Sequence, residues 1–252
     1  MKKSFLLVFL LFGLFETSAQ EQYTTDIDRL KNELSGVKAD SSKSLLMADL
    51  SEAYRWSSAD SGLAYGHKAL ALSRRIGFPS GEVRALLGLS VNNREIGLLS
   101  KSVQLALEAH RIAEHLDKPL LLGTANVRIA NAYHVLKDYK KASDFYNEAI
   151  EKVAGKDKWY EAAFNLLGAL NYSLNDQQDS ARLYFENALK YGLESIRHKP
   201  LLYMVQGTIE EKEGNYELAI ESYHRGIKDS QILESNADLC DIFLHMADTF
   251  QN

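Results

Sequence analysis

Residues 129–149 read IANAYHVLKDYKKASDFYNEA, and this stretch decides the fold. Small residues stand at Ala130, Ala142 and Ala149, and aromatic ones at Tyr133 and Tyr146. The turn Lys137-Asp138-Tyr139 separates two segments whose apolar residues recur at three- and four-residue spacing, the mark of amphipathic helices. The second segment has a small residue, a residue of variable size four further on, and a small one again at seven. That triplet occurs five times: Gly62/Gly66/Ala69, Ser102/Ala106/Ala109, Ala142/Tyr146/Ala149, Ala181/Phe185/Ala188 and Ala219/Tyr223/Gly226. The leading positions step by 40, 40, 39 and 38 residues. A fixed period of this length means one supersecondary unit stacked on copies of itself.

The first segment recurs as well. Leu50-Ser51, Leu89-Ser90, Leu167-Gly168, Gln206-Gly207 and Met246-Ala247 stand where Ile129-Ala130 does, with Tyr54 and Phe250 in the place of Tyr133. Each unit therefore holds two helices, A and B. Small residues let the two backbones approach, and the aromatics fill the gap between units. Breakers mark the remaining A-to-B turns: Ser57-Ser58-Ala59-Asp60, Gly97, Asn175-Asp176 and Gly214-Asn215-Tyr216. Pro79, Pro119 and Pro200 are the only prolines, and all fall between one B helix and the next A helix. Proline is tolerated before a helix or in its first turn and disrupts its interior. Lys156-Asp157-Lys158-Trp159 occupies the fourth such junction. No alternating run of strand-forming residues of useful length appears.

This pattern resembles the tetratricopeptide repeat family, in which the small residue of helix A and the small-x3-aromatic-x2-small run of helix B are the signature. Ile129 to Ala149 matches it position by position, and Gly207, Gly214-Asn215-Tyr216, Ala219 and Tyr223 match nearly as well. The resemblance covers about residues 44–252. The period exceeds the usual ~34 residues, which implies longer helices, and Gly66 and Ala106 stand where an aromatic is usual. It implies an all-α fold, a right-handed α-α superhelix (TPR-like solenoid) of five helix pairs. Repeats are expected at about 44–78, 80–118, 120–157, 159–199 and 200–234, with a C-terminal half-repeat at 236–252. The span 24–37, with Ile27, Leu30, Leu34 and Val37 on one face, is expected to be a capping helix within an N-terminal segment 20–43.

Residues 1–19 predict a different fate. Lys2-Lys3 is a basic start, Phe5 to Phe15 is apolar apart from Gly13, and Thr17-Ser18-Ala19 supplies small residues for cleavage. The run is too short to cross a bilayer as a stable helix and reads as a cleavable signal peptide. No cysteine follows it, so a lipoprotein anchor is not expected. The mature chain would begin at Gln20, in the periplasm or outside the cell. Cys240 is the only cysteine, so no intramolecular disulfide supports the fold in that oxidising setting.

The chain of 252 residues carries a net charge of −5. Loss of Lys2, Lys3 and Glu16 with the signal makes it −6. A mildly acidic chain without a basic cluster argues against nucleic acid or anionic lipid as ligand. Arg74-Arg75 and Lys140-Lys141 are expected to be solvated helix faces. The seven histidines show no metal-binding spacing, and no nucleophile elbow, phosphate-binding loop or dinucleotide fingerprint is present. The sequence thus predicts no enzyme, no metal and no cofactor.

Binding residues follow from the resemblance instead. In tetratricopeptide arrays the A helices line a concave groove. The positions three before, one after and four after the small A-helix residue point into it. Here these include Glu52 and Arg55, Leu87, Val91 and Arg94, Val127, Asn131 and His134, Asn165, Ala169 and Tyr172, and Met204, Thr208 and Glu211. Arg55, Arg94, Asn131, His134, Asn165, Tyr172 and Met204 are the candidate contacts for a peptide or protein. The arginines and asparagines would hold a backbone or carboxylate, and Tyr172 and Met204 would give apolar contact. The lysines that family members use to clamp a C-terminal carboxylate are missing, so that activity is not carried over.

Two functions follow. The first is a protein- or peptide-binding scaffold outside the cytoplasm. The second, resembling the input halves of Bacteroidetes-type sensor kinases and regulators, is the extracytoplasmic sensory part of a longer signalling protein. The apolar residues Leu239, Ile242, Phe243, Leu244, Met246 and Phe250 wrap most of the last helix, which predicts self-association through the half-repeat.

Overall fold

The computed structural model describes residues 26–190 and 199–232. The expected signal peptide, the half-repeat at 236–252 and Cys240 lie outside the described residues. A first helix, α1 (26–36), precedes α2 (Asp40–Ala53), which ends in a single 3-10 turn (Tyr54–Trp56). Then follow α3 (Ala59–Arg75), α4 (Pro79–Glu95), α5 (Leu99–Ala113), α6 (Pro119–Val135) and α7 (Tyr139–Val153). The series closes with α8 (Lys158–Leu174), α9 (Gln178–Lys190), α10 (Lys199–Lys212) and α11 (Tyr216–Ile232). No strand occurs among the described residues.

Local chemistry sets the helix ends. Ser58 accepts a hydrogen bond from the Ser61 amide, Asp138 from Lys141, and Asp157 from both Trp159 and Tyr160. Each satisfies amides that a helix start leaves unpaired. Pro79 and Pro119 sit in the first turns of α4 and α6. The last four A-to-B turns share one device. Gly97, Lys137, Asp176 and Gly214 all adopt left-handed φ, at 79°, 58°, 54° and 82°. The following amide then reaches back five residues, as Leu98 does to Asn93, Asp138 to Tyr133, Gln177 to Tyr172 and Asn215 to Glu210. This is the Schellman closure, and glycine fits its left-handed position without the steric cost borne by Lys137 and Asp176.

Helices pair in order: α2 with α3, α4 with α5, α6 with α7, α8 with α9 and α10 with α11. These are the five helix pairs the sequence predicts, and the molecule is a helical solenoid. The repeated small residues are buried at the crossings, Ala69, Ala109, Ala142, Ala149, Ala181, Ala188 and Ala219 all having no exposed surface. Tyr146 and Tyr133 pack in one cluster with Val127, Ala142 and Phe164. Tyr223 packs so closely on Gly207 that an added Cβ would stand 2.5 Å from its Cε1. At the position of Tyr146, Gly66 instead lets Leu89 and Ser51 in, so Leu89 fills the volume an aromatic takes elsewhere. On α1, Ile27 and Leu30 cover Leu50 and close the N-terminal core.

Successive A helices touch one another, α2 on α4, α4 on α6, α6 on α8 and α8 on α10. The B helices make no comparable contact among themselves in the described residues. The array therefore curves with α2, α4, α6, α8 and α10 on its inner face. Arg74 lies on a solvated face as expected, and there it joins Glu82 at 2.7 Å and Glu108 at 2.5 Å, bridging α3 to α4 and α5.

A groove along the inner helices

The inner face holds a cavity of about 580 Å³. Its floor is apolar: Leu45 and Ala48 from α2, Leu87 from α4, and Leu120 and Leu121 from α6. Phe78, Pro119 and Tyr160 also line it. Five ionisable residues complete it, Asp49, Glu52, Arg84, Lys118 and Lys156. Asp49 is held by Arg84 at 2.5 Å. Burial nevertheless keeps its carboxyl above the ordinary aspartate range, with the arginine opposing that rise.

Glu52 links the groove to a charged network on the C-terminal halves of the inner helices. Arg128 Nη2 donates to it from α6, and Arg55 lies 3.5 Å away. The Coulomb field of Arg128 holds the Glu52 carboxyl below its usual range, against the desolvation that would raise it. Burial lowers the pKa of Arg55, and the like charges of Arg128 and Arg94 lower it further. Arg94, 17% exposed, is bound to Glu95 at 2.6 Å. Nε of Arg128 is buried with no hydrogen-bond partner among the described residues.

The structure distributes the sequence-derived candidates differently from expectation. Arg55 and Arg94 lie in this network, already facing Glu52 and Glu95. Arg94 and Asn131 are both half-buried. Asn131 accepts a 2.6 Å hydrogen bond from the buried hydroxyl of Tyr146. Desolvation pushes that phenol above its ordinary range. His134 Nδ1 meets Asn171 Oδ1 at 3.0 Å and its ring stands edge-on to Tyr139. Tyr172 is turned toward the B helices, bonding Asn147 and lying 5.0 Å from the ring of Tyr184. Asn165 is 3% exposed and donates to the Glu161 carbonyl; Met204 is 6% exposed inside the α8–α11 core. Neither offers surface to a ligand.

None of the seven lines the cavity. The residues that do include Leu45, Arg84 and Thr124, each six positions before the small A-helix residue. That register lies one turn earlier on the same helix face, and continuing the three-and-four spacing toward the N-terminus would have found it. Among the described residues no group of histidine, cysteine and carboxylate side chains is placed to hold a metal, and no helix is long and apolar enough to cross a membrane.

A stack of helix pairs with an open inner groove defines the class: a TPR-like solenoid. The family model described as tetratricopeptide repeat matches residues 123–151. A Rap protein complexed with Competence and Sporulation Factor aligns with a TM-score of 0.65 at 14% identity, over 92% of this chain and 71% of that one. BtubC from P. vanneervenii aligns with a TM-score of 0.63 at 13% identity, over 87% and 93%. The apo form of the quorum sensor NprR from B. thuringiensis gives 0.60 at 14% identity, over 92% and 72%. No curated protein sequence matches the chain. The chain thus carries a tetratricopeptide repeat at residues 123–151 within a fold that is TPR-like throughout the described pairs.

Proposed function

We propose that this chain is a non-enzymatic scaffold that holds a peptide, or a segment of another protein, in the groove along α2, α4 and α6. The observation that carries this is the groove itself, an open apolar floor edged by charge on a surface where neighbouring helices are otherwise closely packed. Support comes from a fold shared with a Rap protein solved in complex with Competence and Sporulation Factor. The test places a photo-crosslinking residue at Leu45 or Thr124 in the groove, and at the exposed Leu183 on α9 as control. Ligand crosslinked through the groove positions, and lost in Thr124→Arg, supports the reading. Crosslinking only through Leu183 overturns it.

The setting belongs to the same proposal. Residues 1–19 as a cleaved signal put the mature chain outside the cytoplasm, and N-terminal sequencing of the exported protein should begin at Gln20. A sensory role within a longer signalling protein is the second reading, favoured by the likeness to the quorum sensor NprR. A reading frame that continues beyond Asn252 into an apolar segment of ~20 residues would support it. Self-association through residues 236–252 is also proposed, and light scattering of Phe243→Ser/Phe250→Ser against the unaltered chain tests it.

A further inference from the structure

The charge of the groove runs against that of the chain. The protein carries a net −5. Yet the groove and the network joined to it through Glu52 hold six cations, Arg55, Arg84, Arg94, Lys118, Arg128 and Lys156, against the carboxylates of Asp49, Glu52 and Glu95. All three carboxylates are matched: Asp49 by Arg84, Glu52 by Arg128, Glu95 by Arg94. Of the three remaining cations, Arg55 shares Glu52 at 3.5 Å, and Lys118 and Lys156 line the groove. Lys118 and Lys156 are both exposed and make no ion pair among the described residues, and Lys118 Nζ donates only to Ser80 Oγ, at 2.8 Å. Leu45, Leu87 and Leu121 line the same groove as these lysines.

Resting on the groove as the binding surface, we propose that its ligand is an acidic peptide segment. It seats an apolar side chain on the leucine floor and places carboxylates against Lys118 and Lys156. A basic segment would meet two uncompensated ammonium groups, whereas an acidic one gains two charge pairs and displaces no internal one. The arginines that the sequence singles out keep the inner end electropositive but spend their hydrogen bonds on Glu52 and Glu95. The lysines at the helix junctions are therefore the selective contacts.

The test selects a displayed library of random twelve-residue peptides on the full chain, with Lys118→Glu/Lys156→Glu and Thr124→Arg variants in parallel. Both lysines are exposed, so their reversal leaves the packing intact, and matched melting curves check this. The expected result is enrichment of peptides with net negative charge around one or two large apolar residues. Those peptides should bind the lysine double variant at least tenfold more weakly, and raising salt should weaken them on the unaltered chain. Enriched peptides without net negative charge, still blocked by Thr124→Arg, would overturn the acidic specificity and leave the groove as the binding site. Enriched peptides indifferent to Thr124→Arg, or no enrichment at all, would overturn the groove and the proposal together.

Discussion

Arg128 on α6 donates to Glu52 on α2, joining the first helix pair to the third past the second. In most solenoids each unit contacts only its neighbours. Here the tight curvature of the inner face brings side chains 76 residues apart into contact. The bond also fixes how the network divides: Glu52 answers Arg128 and Arg55, and the groove's remaining positive charge is left to Lys118 and Lys156.

Glu52→Gln should therefore destabilise the chain at neutral pH. Arg128 is 13% exposed and Glu52 46%, so water screens much of the interaction and the loss is about 1 kcal/mol. For a chain of this size that lowers the melting temperature by about 2–4 °C. Glu52 titrates below its ordinary value of 4.5 when folded. Its stabilisation is full above that value and disappears as pH falls through the lower folded one. The gap between the unaltered and variant chains, read by thermal melts from pH 7 to pH 3, should close with acidification.

Gly207→Ala and Gly168→Ala occupy equivalent positions and should behave differently. The added methyl at Gly207 would stand 2.5 Å from the ring of fully buried Tyr223, whereas at Gly168 it would stand 3.3 Å from Tyr184, which is partly exposed. Overpacking at Gly207 should cost about 1–3 kcal/mol. At Gly168 the gain in helix propensity, up to about 1 kcal/mol, offsets a smaller adjustment. Urea denaturation of the two variants measures the difference.

Lys137→Gly should stabilise the chain. Lys137 holds φ at 58° where Gly97 and Gly214 occupy the same turn position. Relief of the left-handed backbone cost is worth about 1 kcal/mol. The side chain lies at a turn and is exposed, so little else changes. A higher denaturation midpoint with an unchanged slope is the expected readout.

Asn131→Ala should lower stability. Asn131 accepts the hydroxyl of Tyr146, whose ring is 2% exposed, and its loss leaves that group unpaired at a cost of about 1–3 kcal/mol. Tyr146→Phe should remove most of the penalty of the second change. A double-mutant cycle by chemical denaturation reads the coupling directly.

The fold was legible because each unit repeats its own instructions. Ala142, Tyr146 and Ala149 mark one helix crossing, and the same spacing at 62, 102, 181 and 219 marks the others, so five weak signals reinforce one another. The turn position was legible at Gly97 and Gly214, where glycine announces a left-handed residue. It was silent at Lys137 and Asp176, where the closing backbone hydrogen bonds accompany the same backbone in residues that do not prefer it. The candidate site was less legible. Met204 and Asn165 carry the right chemistry at the expected register, but α10 and α8 press them into the core. Arg94 and Arg55 are cations in sequence and matched charges in space.

The sequence by itself determined the helical class, the pairing of A with B helices and their order, because periodicity, small-residue spacing and turn chemistry act over a few residues and need no partner. Only the tertiary structure decided which inner residues remain open. Whether Arg128 meets Glu52, or Lys118 stays unpaired, depends on the rotation of each helix pair on the last. That angle is set by summed side-chain volumes at every crossing, with Leu89 filling the space beside Gly66 and Tyr223 filling it beside Gly207. Small rotations accumulate along the stack, so residues 76 positions apart come within bonding distance although no local pattern relates them.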